Sequence, residues 1–354
     1  MASYKEQLER DLDRWVGSGL VPAENRTAIL QSVPDGARLD AATALAWVGG
    51  VLAGVALIAF VAANWDALPR LAKFALVLGL YGGSAGAGAW FARAGRPNAA
   101  NGLLTFAAFA FASAIGLTGQ IFDITGDDST AFYAAGVGAA ALALAGRSSG
   151  AAIAGLWLIA AADLDGLRSY DRPYAFDFAG LFLAAPAAAA LAVRWKSVPL
   201  AHTTALGLIA AAIWLGTRLH APPAALIGLA ALLGALAMGG RWLRERGEAV
   251  GGPFYGWLAW GAVAFYLGAG IDLHDSGSKI AHRIGWLIVG GALAALGRRD
   301  RVGSVTALGV LSLMIGVSVI MYDFGLGLLA ASGVFFLAAI VAAVAGLAVR
   351  RRAA

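Results

Sequence analysis

Residues 302–321 read VGSVTALGVLSLMIGVSVIM, twenty residues without a charge, closed by Arg298-Arg299-Asp300-Arg301 on one side and by Asp323 on the other. As a helix rising about 1.5 Å per residue, this stretch is about 30 Å long, the thickness of a bilayer's hydrocarbon core. Inside hydrocarbon every backbone N–H and C=O needs a partner within the protein, and a helix supplies them all from one segment.

Working outward in both directions, the same pattern recurs. Apolar runs separated by short polar breaks predict spans at 43–63, 71–92, 102–121, 130–146, 149–162, 176–193, 199–217, 222–239, 253–270, 281–297, 302–321 and 325–348. The run at 149–162 is short, so its far end is expected to stop below the interface or to continue as irregular backbone. The expected fold class is therefore all-α, a polytopic bundle of about twelve helices over residues 41–354, preceded by a helical head over residues 1–40.

Composition points the same way. Of 354 residues, 60% are hydrophobic and 13% charged, with a mean hydropathy of +0.75; a soluble domain carries about 25% charged residues. Cysteine is absent, which excludes disulfides, thiolate catalysis and cysteine-ligated metals. A net charge of +5 raises nucleic acid as a partner, but the basic residues are scattered between apolar runs and form no patch, so no nucleic-acid partner is expected. The bilayer itself is the expected partner.

The basic residues instead set an orientation. With twelve spans and a cytoplasmic N-terminus, nineteen basic residues fall on the cytoplasmic side and seven outside, together the full complement of 26. Both termini are then cytoplasmic, and the expected location is a bacterial inner membrane. All five glutamates fall inside and eleven of sixteen aspartates outside. The first forty residues are polar, with no apolar leader, so the first span acts as its own insertion signal.

In the head, Tyr4, Leu8, Leu12, Trp15 and Val16 share one face of a helix over 2–16, ended by Gly17-Ser18-Gly19; a second helix runs from Pro22 to near Asp35-Gly36. Two helices this short bury little, and residues 1–36 offer an apolar face to a cytoplasmic protein partner.

Candidate site residues cluster at predicted outer ends: Asn64 and Asp66 closing the first span, and Gln120, Asp123, Asp127 and Asp128 around the connection after the third. A carboxylate near the edge of hydrocarbon is stable only when paired, hydrogen-bonded or wet. Asp163, Asp165, Asp171, Asp177, Asp272, Asp275 and Asp323 lie at other outer ends, where aspartate also serves simply as a cap or turn former. No catalytic residue, metal site or cofactor motif is assigned: the four histidines lack zinc spacing, and no phosphate loop, dinucleotide fingerprint or nucleophile elbow occurs. Four-residue glycine spacings, such as Gly79/Gly83 and Gly82/Gly86, are expected to be helix-packing surfaces. No internal repeat is evident.

Three readings stand. The first is a permease for small solutes or cations with an outward-facing acidic vestibule; the second is a membrane sensor or scaffold acting through the head. The third, an intramembrane enzyme on a lipid, ranks last because no nucleophile pairs with a base. The head with Trp15-Val16 and Gly19-Leu20-Val21, the run Val61-Ala62-Ala63-Asn64-Trp65, and Gly119-Gln120-Ile121-Phe122 with Gly126-Asp127 resemble the bacterial predicted-membrane-protein family called domain of unknown function family 2157. The resemblance is best over residues 5–165. It implies a multipass membrane protein without an assigned activity. Where that family has histidine after the aromatic of the Gly-Gln segment, this chain has Asp123.

Overall fold

The computed structural model describes residues 4–32, 68–122, 128–168, 180–218 and 220–323, together with 333 and 336. The chain divides into two compact units, Met1–Pro69 and Arg70–Ala354. Among the described residues there are twelve helices and no strand.

In the first unit, α1 (Tyr4–Gly17) and α2 (Asn25–Ser32) form the head. Leu12 is fully buried, as its place on the apolar face of α1 requires. Gly19 takes a left-handed φ of 73°, and Leu20 N–H donates to the Trp15 carbonyl at 2.9 Å, turning the chain back towards α2. Arg26 of α2 then clamps α1, donating to Asp13 at 2.8 Å and Glu9 at 3.2 Å. These carboxylates raise the Arg26 pKa further above its ordinary value, chiefly through the Asp13 hydrogen bond. Trp15 and Leu20 remain exposed. The boundary expected at residue 40 lies outside the described residues.

The second unit contains α3 (Arg70–Arg93), α4 (Pro97–Phe122), α5 (Asp128–Gly146), α6 (Ser149–Arg168), α7 (Gly180–Trp195), α8 (Val198–Arg218), α9 (Pro223–Glu245), α10 (Gly251–Ala269), α11 (Ser276–Arg299) and α12 (Gly303–Asp323). Each overlaps one expected span; spans 43–63 and 325–348 lie outside the described residues, apart from the helical positions 333 and 336. Among the described residues, seven helices are long and apolar enough to cross a membrane: α3, α4, α5, α8, α9, α11 and α12. Helix α7, with 16 residues, reaches only about 24 Å, while α10 is diluted by the polar tips of Tyr255, Trp257, Trp260 and Tyr266.

The expected short run at 149–162 is corrected. Helix α6 continues through Asp163 to Arg168, 20 residues in all, because that carboxylate is fully engaged and need not leave the bundle.

Consecutive helices pack as hairpins: α3 with α4, α5 with α6, α7 with α8, α9 with α10, and α11 with α12. A repeat that the side chains do not announce appears in their turns. Gly95, Arg147, Lys196, Gly247 and Arg301 all take left-handed φ, at 71°, 49°, 53°, 83° and 55°. In each case the following N–H reaches five residues back: Arg96 to Phe91, Ser148 to Ala143, Ser197 to Ala192, Glu248 to Leu243 and Val302 to Gly297, at 2.8–3.0 Å. This is the Schellman closure of a helix end, so the repeat lies in backbone geometry. Because left-handed backbone crowds a Cβ, Arg301→Val is expected to cost about 1–2 kcal/mol more than Arg301→Gly, and a branched Cβ suffers most. Thermal unfolding of the two variants in detergent checks this; equal midpoints would contradict it.

Small residues form the interior. Ala107, Ala108, Ala139, Ala151, Ala185, Ala192, Ala201 and Ala205 are essentially inaccessible, which lets backbones approach where lipid supplies no hydrophobic drive. Among the glycines, Gly240 and Gly309 sit at close crossings: a Cβ on Gly240 would meet the Tyr255 nitrogen at 2.6 Å, and one on Gly309 the Gly290 oxygen at 2.7 Å. The pairs Gly79/Gly83 and Gly82/Gly86 meet nothing within 4 Å among the described residues, so the expectation that they pack helices is not met there. Trp286 is buried and donates to Ser312 Oγ at 2.9 Å.

Candidate functional site

The short turns gather at one end of the second unit, where polar side chains join them. Asn101 Oδ1 accepts from Ser148 Oγ at 2.8 Å and from Gly150 N–H at 2.9 Å, Lys196 pairs with Glu248 at 2.9 Å, and Arg241 pairs with Asp300. These contacts staple one hairpin to the next.

The opposite end carries the longer connections and the candidate site. Its framework starts at Asp275, which caps α11 by accepting from Ser278 N–H at 2.8 Å. That backbone donor holds the Asp275 carboxyl below its usual range. One turn on comes Lys279, and a further turn on comes Arg283, whose Nε donates to Asp323 at the end of α12 at 3.1 Å. The groove between α11 and α12, with a volume of about 530 Å³, is lined by Ser276, Lys279, Arg283 and Asp323 together with Ile280, Ile284 and Ile320.

Behind Arg283 sits His282, only 5% exposed. Its ring lies flat on Tyr266, centroids 4.5 Å apart and planes at 8°. The two residues also exchange hydrogen bonds: His282 Nε2 reaches the Tyr266 carbonyl at 2.8 Å, and Tyr266 Oη donates to the His282 carbonyl at 3.1 Å. A carbonyl only accepts, so Nε2 carries the proton and the Nδ1 lone pair faces Arg283 Nη1 at 3.4 Å. Trp286 closes the group edge-on to His282 at 6.2 Å. Gly270 is required here, since its Cβ would stand 2.8 Å from His282 Nδ1 and 2.9 Å from Arg283 Nη1. A rigid aromatic backing thus fixes a guanidinium and a carboxylate at the edge of an aliphatic groove, with an ammonium beside them.

Of the residues expected at the site, Asn64, Asp66, Asp123 and Asp127 lie outside the described residues. Gln120, in the last turn of α4, and Asp128, the first residue of α5, are both exposed and make no hydrogen bond to each other. Three other carboxylates expected at outer ends are engaged internally: Asp163 with Tyr133, Gly180 and Leu181, Asp275 with its own helix, and Asp323 with Arg283. Among the described residues no group of three His, Asp or Glu is placed to hold a metal.

Sequence reasoning missed Tyr266, His282 and Arg283, the last two falling among the first residues of the span expected at 281–297. The available signal was Lys279, His282 and Arg283 at helical spacing just after Asp275-Ser276, a capped start that extends α11 outward to residue 276.

No curated protein and no solved structure matches the chain. Residues 13–152 match the family model described as Predicted membrane protein (DUF2157), the family that the head and the Gly119–Phe122 segment resemble.

Proposed function

We propose that the protein is a permease for a small organic solute, loaded from the end of the bundle that carries the longer connections. The single observation behind this reading is the α11–α12 groove, which brings Lys279, Arg283 and Asp323 into one aliphatic space of about 530 Å³. Charged groups at that depth are costly in a membrane unless they serve a purpose or a partner. The volume suits a small ligand, for which pockets run about 300–1,000 Å³. The groove presents two cations against one carboxylate, which favours a solute with an anionic group.

In this reading the chain has twelve spans and its arginine-rich short turns face the cytoplasm of a bacterial inner membrane, as the positive-inside rule orients them. Gln120 and Asp128, exposed at the same end of the second unit, belong in this reading to the outer approach.

The test is a screen of carboxylates, amino acids and cations against the protein in liposomes, following flux and thermal stabilisation together. A ligand at about a hundred times its Kd stabilises by about 2.7 kcal/mol. At least one anionic or zwitterionic solute is expected to give both signals, and Arg283→Gln is expected to remove them. Unchanged flux and stabilisation in both Arg283→Gln and Asp323→Asn would place the site elsewhere.

A further inference from the structure

We infer that the ligand of the α11–α12 groove is a single-chain anionic amphiphile, a long-chain monocarboxylate whose head group sits between Lys279 and Arg283 and whose chain follows the isoleucines of α11. The inference rests on reading the groove as a substrate site and names the class of substrate.

The charges fix the head. Arg283 already holds a carboxylate, Asp323, through its Nε at 3.1 Å. Lys279 lines the same groove and has no carboxylate partner among the described residues. Among the groove's lining side chains one positive charge is in excess, which a monoanion neutralises and a dianion over-neutralises. Arg283 is held in place by Asp323 and by the stacked His282 behind it, so the head group meets a prearranged donor.

The aliphatic wall fixes the tail. Ile280, Ile284 and Ile288 follow at four-residue intervals on one face of α11, exposed by 61%, 54% and 66%. They make a track about 12 Å long descending from the level of the cations, and Ile320 of α12 faces its upper part. A hydrophilic solute would leave these side chains to lipid alone, whereas an alkyl chain laid along them matches their aliphatic surface. The groove holds about 530 Å³, which suits one chain better than the two of a bilayer phospholipid.

The experiment uses the full chain in phosphatidylcholine nanodiscs with a diazirine-bearing dodecanoate as the probe, the labelled residues being mapped by mass spectrometry. Label is expected on 280–288 and at Ile320, displaced by unlabelled dodecanoate at far lower concentration than by butanoate. Lys279→Gln is expected to weaken labelling about tenfold without moving the thermal midpoint. Displacement by butanoate and dodecanoate at equal concentration keeps a carboxylate site but overturns the amphiphile. Displacement by an anionic phospholipid in preference to dodecanoate assigns the groove to a bilayer lipid and also overturns it. Absence of any labelling above background in the folded protein, with butanoate also failing to stabilise it, removes the substrate site and this inference together.

Discussion

Asp163→Ala is expected to destabilise the protein by about 3–5 kcal/mol, lowering its thermal midpoint in detergent by on the order of 10 °C. The side chain is 3% exposed and accepts from three donors: Tyr133 Oη, Gly180 N–H at 3.0 Å and Leu181 N–H at 2.9 Å. The last two are the first amides of α7, which have no partner within their own helix. The carboxylate therefore caps α7 from the neighbouring α6, with its charge at the positive end of the α7 dipole. Burying a lone carboxylate costs several kcal/mol, but three hydrogen bonds to a charged acceptor, at about 1.5–3 kcal/mol each, offset it. Alanine removes the acceptor and leaves the two buried amides of Gly180 and Leu181 without it. Tyr133→Phe removes one donor and keeps the cap, so it is expected to cost only about 1 kcal/mol. Thermal unfolding followed by tryptophan fluorescence separates the cases; an Asp163→Ala midpoint within a degree of wild type would deny the residue this role.

That same residue marks where the sequence stops being informative. Hydropathy places helices well because a run such as 302–321 carries its own reason to be helical in hydrocarbon, whatever lies beside it. Each of the ten helices of the second unit accordingly falls on an expected span. Asp163 looked like the end of a span because a carboxylate alone is intolerable there, and its partners come from Tyr133, thirty residues away, and Gly180, seventeen residues away. Nothing in the linear string announces that meeting. The glycines behave similarly: spacing of four identifies helix faces that permit close approach, but only the neighbour decides which are used, and Gly240 and Gly309 are used while Gly79 and Gly83 are open among the described residues. His282 was legible as a residue but not as a ring stacked on Tyr266, because that contact depends on how α10 and α11 are rotated against each other. The polar site was expected at Asn64, Asp66, Gln120, Asp123, Asp127 and Asp128, of which Gln120 and Asp128 are among the described residues; the charged groove sits on a different helix pair.

Asp300→Asn is expected to cost about 2–4 kcal/mol at neutral pH and to flatten the acid side of the stability profile. Asp300 lies in the turn between α11 and α12 with its side chain 7% exposed, and it takes Arg241 in a two-pronged grip, Nε to Oδ2 at 2.6 Å and Nη2 to Oδ1 at 2.9 Å. The Arg241 hydrogen bonds outweigh burial and hold the Asp300 carboxyl below its usual range. A group whose pKa falls on folding contributes fully above its unfolded value, about 3.9 for aspartate, and that contribution disappears as pH falls through the lower folded value. Wild type should therefore lose stability on acidification in a window that begins near pH 4–5, and the Asn variant should lose less there. The loss at neutral pH is smaller than for an isolated buried pair because Arg241 keeps Glu245, at 2.8 Å on the more exposed side. The pair ties the α9 end to the turn between α11 and α12, and its value is geometric as much as energetic. Replacing both partners, Arg241→Met with Asp300→Leu, removes the desolvation cost along with the attraction and is expected to recover most of the lost stability. If the double variant is instead as unstable as Asp300→Asn, the pair contributes specific attraction that apolar packing cannot replace, and the staple between hairpins is electrostatic in origin.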